Sequence, residues 1–120
     1  MVKDIASREA ILEYLESWDG QVEKKINELV RLKTPIVVFG VGCFLEWLLI
    51  QYPEVREQII YCVDNNPSKQ KESFLNLAVF SSDKICESVE ATILVCSMLY
   101  AEDIVQQLNT MSVNNEIVVL

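Results

Sequence analysis

The chain has 120 residues, of which 51 % are hydrophobic, so it can form one domain with a substantial core but has no room for a second, catalytic domain. Its net charge is −8 and no Lys/Arg cluster interrupts the acidity, so binding of DNA or RNA through the phosphate backbone is not expected. The chain contains no histidine, which excludes Ser-His-Asp and Cys-His nucleophiles and nearly all zinc chemistry.

The N-terminal sequence and the cysteines predict a cytoplasmic protein without membrane contacts. Charged residues are mixed through the first ten positions, unlike the core of a signal peptide. No apolar run approaches the roughly 20 residues that a membrane-spanning helix needs. The four cysteines form no C-x-x-C pair, and Cys62 and Cys96 lie in strand-like runs, where we interpret them as small hydrophobic residues.

Residues 1–34 predict a pair of helices before the sheet. The first is capped by Ser7 and ends at Asp19-Gly20. Its apolar positions are Ile11, Leu12, Tyr14, Leu15 and Trp18. The second helix carries the stripe Val22, Ile26, Leu29 and Val30. The pair forms either a partner or dimer surface or a cover for the sheet, and the sequence favours neither alternative.

The next stretch predicts a buried strand, a tight turn and a helix. Ile36–Phe39 is a continuous β-branched and aromatic run, as in a strand that is covered on both faces. Gly40 and Gly42 permit a sharp turn and let an anion, typically a phosphate, approach the amides that open the next helix. That helix, Phe44–Ile50, has Glu46 as its only charge. We therefore expect the sheet, and the N-terminal helices or a second subunit, to cover it.

A second strand, Ile59–Val63, ends at an acidic residue. Asp64 lies 22 residues after Gly42. This is close to the spacing at which an acidic residue of a dinucleotide fold meets a ribose hydroxyl. Alternatively, Asp64 caps the turn at Asn65-Asn66 by accepting backbone N–H bonds.

The remaining sequence completes an α/β pattern. Strands are predicted at 77–80, 91–96 and 116–120, with a helical turn at 83–88 and a helix at 101–109. Together, residues 35–120 predict a parallel five-stranded sheet of order 3-2-1-4-5 with helices on both faces. Its switch point lies between the first and fourth strands, where their carboxyl ends leave a crevice for a ligand. The residues predicted to line this crevice are Gly40, Val41, Gly42, Cys43, Asp64, Asn65, Asn66, Ser97 and Met98.

Four short segments carry a family resemblance. Residues 39–42, 63–70, 77–85 and 93–97 read FGVG, VDNNPSKQ, LAVFSSDKI and ILVCS. Together they resemble small Rossmann-like domains of bacterial polysaccharide- and sugar-modifying proteins, namely the N-terminal domains of sugar O-acyltransferases and the C-terminal domains of sugar C-methyltransferases. The resemblance implies that Gly40, Gly42 and Asp64 face a nucleotide, a nucleotide-sugar or a dinucleotide such as NAD(P).

The chain departs from this pattern in ways that affect its expected function. Leu45 stands where the dinucleotide fingerprint has its third glycine or alanine. The histidine and the left-handed helix of the acyltransferases are missing, so acyl transfer by this chain alone is not expected. The crevice offers no paired carboxylates and no activated nucleophile, so no catalytic residues are assigned.

An enzyme or enzyme fragment stays open as a hypothesis, although the missing catalytic groups count against it, and two other functions are favoured. The first is a nucleotide-binding module that holds a small-molecule ligand, a nucleotide-sugar or dinucleotide, without chemistry of its own. The two glycines and Asp64 favour it. The second is an assembly domain that keeps the fold without a ligand and forms a homodimer through the N-terminal helices or the Phe44–Ile50 helix. Leu45 and the acidic balance favour that alternative.

Overall fold

Five short parallel strands form a single sheet. The computed structural model describes residues 19–70, 73–88 and 90–120. Within them the strands are β1 (Ile36–Phe39), β2 (Ile59–Val63), β3 (Val79–Phe80), β4 (Thr92–Val95) and β5 (Ile117–Val119). They pair in parallel in the order β3-β2-β1-β4-β5. The predicted α/β class and the predicted strand order are therefore confirmed.

Helical segments precede, connect and cover the strands. In the described ranges the α-helices are α1 (Asp19–Leu32), α2 (Cys43–Gln51) and α3 (Ala101–Thr110). Two 3-10 helices span Pro53–Gln58 and Ser82–Glu87. None of the helices in these ranges is long and apolar enough to cross a lipid bilayer. The first predicted helix, which contains Ser7, lies outside the described residues.

The central strand β1 is buried on both sides. Val37 and Phe39 belong to a hydrophobic cluster with Ile104 of α3, whereas Ile36 and Val38 belong to a second cluster that contains residues of α1 and α2. Successive side chains of a strand point to opposite faces of the sheet, so helices pack on both sides of β1. This double burial explains why the run is continuously apolar rather than alternating.

The apolar surface of α2 is covered mostly by the chain itself. The helix buries Phe44, Leu45, Trp47, Leu48 and Leu49. They share one cluster with Val22, Ile26 and Leu29 of α1. Ile50 alone among the large apolar residues of α2 is strongly exposed, at 68 %. Helix α1 and the sheet thus cover most of α2, and a second copy of the chain is not needed for this.

Several predicted boundaries are wrong for a local physical reason. The predicted strand at 77–80 contains only β3, because Leu77 exchanges two backbone hydrogen bonds, of 2.8 and 2.9 Å, with Phe74. The intervening Leu75 and Asn76 have φ angles of 50° and 66°, so the chain makes a tight turn there. The lead-in to β2 forms the 3-10 helix Pro53–Gln58. The predicted strands at 91–96 and 116–120 are each shorter by one residue at both ends.

Candidate functional site

A cavity of about 720 Å³ opens at the carboxyl edge of the sheet. It lies at the switch point between β1 and β4, where neighbouring connections run in opposite directions. The residues that the sequence predicted for the crevice all line this cavity: Gly40, Val41, Gly42, Cys43, Asp64, Asn65, Asn66, Ser97 and Met98. The lining also includes, on the side of α3, Leu99, Tyr100, Asp103 and Gln107, which the sequence did not predict. Lys69 lines the cavity as well; from the sequence it could reach a diphosphate, although a solvated loop is the favoured interpretation.

Gly40 is required by the backbone at the base of the cavity. Its φ angle is 109°, in the region that L side chains rarely adopt. A Cβ atom at this position would lie 2.7 Å from the carbonyl oxygen of Cys96. The Gly40 N–H donates to the Val63 carbonyl at 2.9 Å, and the Cys96 N–H donates to the Phe39 carbonyl at 2.9 Å. These bonds draw the ends of β1, β2 and β4 together, so Gly40 has a structural reason to be glycine.

Gly42 has no such reason. Its φ and ψ angles, 169° and −152°, describe extended backbone that any residue adopts. A Cβ atom there would meet nothing within 4 Å. The first bond of α2 runs from the Glu46 N–H to the Gly42 carbonyl at 3.0 Å, so the N–H groups of residues 42–45 have no acceptor within the helix. The space beside Gly42 therefore adjoins the amides that open α2.

Asp64 ties the glycine turn to the loop after β2. Its Oδ2 atom accepts the Val41 N–H at 2.9 Å, and its Oδ1 atom accepts the Asn66 N–H at 2.8 Å. The bond from the Asn66 N–H is the one expected if Asp64 caps the turn, which was the alternative interpretation of this residue. The first bond links the two loops that flank the cavity. Each carboxylate oxygen has room for about two hydrogen bonds, and the described residues supply one to each, so among them one site on each oxygen is left for a ligand.

Amide side chains join the loop after β2 to α3. Asn65 Nδ2 donates to Gln107 Oε1 at 2.7 Å, and Gln107 Nε2 donates to Asn65 Oδ1 at 3.2 Å. Gln107 Nε2 also donates to Ser82 Oγ at 2.9 Å. Both N–H groups of Gln107 are thus in use, whereas Asn65 keeps one N–H for another partner.

The loop after β4 brings an exposed apolar and aromatic segment to the cavity. Ser97 Oγ accepts the Tyr100 N–H at 3.1 Å, which fixes the loop just before α3 begins. The side chains of Leu99 and Tyr100 are 83 % and 61 % exposed. Asp103, in the first turn of α3, also lines this side. We call Leu99, Tyr100 and Asp103 the α3 wall.

The cysteines differ in reactivity. Cys43, at the first position of α2, is exposed and lines the cavity, whereas Cys62 and Cys96 are buried. Burial raises the pKa of the Cys62 thiol to about 12, and burial also raises the pKa of the Cys96 thiol. The two buried thiols therefore act as core residues near neutral pH. Within the described ranges no group of three or more Cys, Asp or Glu side chains is placed to hold a metal ion.

These observations define the class of protein as a small α/β domain with a parallel sheet and a ligand-sized cavity at its switch point. No protein-family model, curated protein or solved structure matches the chain. A fold of this class hosts many unrelated activities, so the fold by itself does not define the function.

Proposed function

We propose that the domain binds a nucleotide, in the form of a dinucleotide or a nucleotide-sugar, in the cavity between the glycine turn and α3. The observation that carries this proposal is the space beside Gly42. A glycine stands there although neither the backbone angles nor the packing calls for one. Glycine is common at a helix N-cap, the position of Gly42, and a ligand group that approaches the amides at the start of α2 is a further reason for the absence of a side chain. A phosphate is the group that such amides favour.

Asp64 supports the same proposal from the other side of the glycine turn. It lies directly after β2, and Val41 and Asn66 hold both of its oxygens in place. The free hydrogen-bonding site on each oxygen suits two adjacent donors, such as the hydroxyls of a ribose. Because its carboxylate is fixed before a ligand arrives, little side-chain entropy is lost on binding.

The first experiment tests the approach to the α2 amides. Gly42→Val adds a β-branched side chain to the cavity wall, and we expect it to abolish binding of ADP measured by isothermal titration calorimetry. The matched control is Gly20→Val, because a Cβ at Gly20 also meets nothing within 4 Å and Gly20 lies in α1, away from the cavity. ADP affinity that Gly42→Val leaves unchanged contradicts the placement of the phosphate.

The second experiment tests the ribose contact. Asp64→Asn replaces one acceptor oxygen by an NH2 group, so we expect it to weaken ADP more than 2′,3′-dideoxy-ADP, which lacks the hydroxyls. Equal weakening of both ligands assigns Asp64 to the turn alone and removes the ribose contact from the proposal. Both variants are compared with the unchanged chain after their melting temperatures have been recorded.

A biological setting also follows as a proposal. The segments that resemble domains of sugar-modifying proteins suggest that this chain is an accessory module of such a system. No group in the cavity is an imidazole, because the chain has no histidine, so we propose binding rather than catalysis.

One observation favours a second candidate, an assembly domain without a ligand. Both oxygens of Asp64 already accept backbone N–H groups, so this residue has a structural role of its own. A sedimentation experiment that shows a stable dimer, together with no binding of ADP, NAD or UDP-glucose at millimolar concentration, would favour that candidate.

A further inference from the structure

We infer that the α3 wall accepts the uncharged or cationic half of the nucleotide ligand and excludes an anionic one. The inference rests on the proposed function and deepens it by naming the chemical class of the group beyond the phosphates. The inferred ligands are neutral nucleotide-sugars and pyridine dinucleotides, whose second half is uncharged or cationic at its ring. Nucleotides of acidic sugars, whose sugar carries a carboxylate, are excluded.

The charges that line the cavity are divided unevenly between its two sides. On the side of β2, both Asp64 and Lys69 line the cavity, so the lining there carries one carboxylate and one ammonium and no net charge. On the side of α3, Asp103 lines the cavity, and the described lining residues include no basic side chain there. A negative group of the ligand at this side would therefore meet a carboxylate without a neighbouring lining cation.

The dipole of α3 does not cancel this charge. A helix N-terminus corresponds to roughly half a positive elementary charge. The first turn of α3 carries two carboxylates, those of Glu102 and Asp103. The charge of Asp103 alone, which lines the cavity, outweighs half a positive one, so the local field on the cavity side of α3 is negative. The first turn of α2 carries the single carboxylate of Glu46, which does not line the cavity.

The exposed side chains of the wall favour the same class of ligand. Leu99 and Tyr100 present apolar and aromatic surface to the cavity opening. An aromatic ring stacks on neutral rings and, through its face, attracts cations. Tyr100 therefore suits a neutral ring or a positive charge, and Asp103 disfavours a carboxylate on the ligand.

A matched pair of ligands tests this inference. UDP-glucose and UDP-glucuronate differ by one carboxylate on the sugar, so the ratio of their dissociation constants isolates the charge at the wall. We expect UDP-glucuronate to bind about fivefold more weakly, which is roughly the effect of two like charges about 4 Å apart in a solvent as polar as water. The ratio should fall towards one in 0.5 M salt, because salt screens exposed charges and leaves a steric clash unchanged.

Two variants of α3 provide the control. Asp103→Asn should remove most of the difference between the two ligands. Glu102→Gln makes the same chemical change one residue earlier, at a side chain that does not line the cavity, and should leave most of the difference in place. If both variants reduce the difference in affinity between the two ligands equally, Asp103 has no special role and the inference is overturned.

The remaining outcomes separate the inference from the proposed function. If UDP-glucuronate binds as tightly as UDP-glucose, the inference is overturned while nucleotide binding stands. If the pair differs but Asp103→Asn and high salt change nothing, the selection is steric and the inference is again overturned. If neither ligand, nor ADP, nor NAD binds at millimolar concentration, the proposed function itself fails.

Discussion

The two glycines of the turn after β1 should differ strongly in how much stability the same substitution costs. Gly40→Ala forces an alanine into a φ angle of 109° and places its Cβ 2.7 Å from the Cys96 carbonyl oxygen. A backbone conformation of this kind costs about 1–3 kcal/mol, and forcing an extra methyl group into packed backbone costs about 1–3 kcal/mol more. The free energy of unfolding should therefore fall by about 2–6 kcal/mol.

Gly42→Ala should change stability little. The extended backbone at Gly42 suits alanine, and the added Cβ meets nothing within 4 Å. Alanine restricts the unfolded chain, which stabilises by about 0.4–1 kcal/mol, but it is a poorer residue than glycine at a helix N-cap. These effects oppose each other, so the net change should stay within about 0.5 kcal/mol.

Thermal unfolding followed by circular dichroism measures the contrast. At about 4 °C per kcal/mol for a domain of this size, Gly40→Ala should lower the melting temperature by roughly 8–24 °C and Gly42→Ala by no more than about 2 °C. Equal losses in both variants would refute the reasoning, because the structural distinction between the two glycines would then have no energetic counterpart.

Three further predictions concern the core. Leu45→Ala, at a side chain that is 0 % exposed, should cost about 2–5 kcal/mol in urea unfolding. Burial raises the pKa of Cys62 to about 12 and also raises the pKa of Cys96. Above about pH 9 both thiols therefore ionise in the unfolded chain but stay protonated in the folded protein. The free energy of unfolding should then fall by about 1.4 kcal/mol per pH unit for each thiol. Tyr61→Phe loses the hydroxyl that bonds Ser88 Oγ at 2.8 Å, and should cost about 1 kcal/mol in urea unfolding.

Each core prediction has its own control. Ile50→Ala, on the same helix as Leu45 but 68 % exposed, should change the free energy of unfolding by less than about 0.5 kcal/mol. Cys62→Ala should reduce the alkaline slope, and an unchanged slope would assign it to other groups. Tyr100→Phe is the exposed counterpart of Tyr61→Phe; an equal loss in both would show that the buried hydrogen bond contributes nothing.

Much of the fold could be predicted because the local sequence of most strands indicates a strand. The run Ile36–Phe39 is continuously apolar and follows a proline, and the later strands show the same β-branched composition. The boundary errors arose where contacts override composition. Asn76 is a residue type that tolerates a positive φ angle, but nothing in the residue type of Leu75 indicates one. The resulting turn pairs Leu77 with Phe74 and leaves it outside β3.

The cavity could be predicted only in part. The loops after β1 and β2 follow from the strand order, so their residues were assigned correctly to the cavity lining. The different roles of Gly40 and Gly42 depend on the position of the Cys96 carbonyl, which lies far along the chain and leaves no local signal. Leu99 and Tyr100 of the α3 wall were missed because the loop after β4 lines the cavity over more residues than Ser97 and Met98. Asp103 and Gln107 were missed because they reach the cavity from α3, whose helical period could have indicated them.

The most direct test of nucleotide binding is a titration of the nitrogen-15-labelled protein with ADP, followed by amide chemical shifts in NMR spectra. The largest chemical-shift changes should fall on the amides of residues 41–44 and 64–66, which flank the cavity, and Gly42→Val should suppress them. A spectrum that stays unchanged at millimolar ADP, or changes that concentrate on α1, would contradict the account.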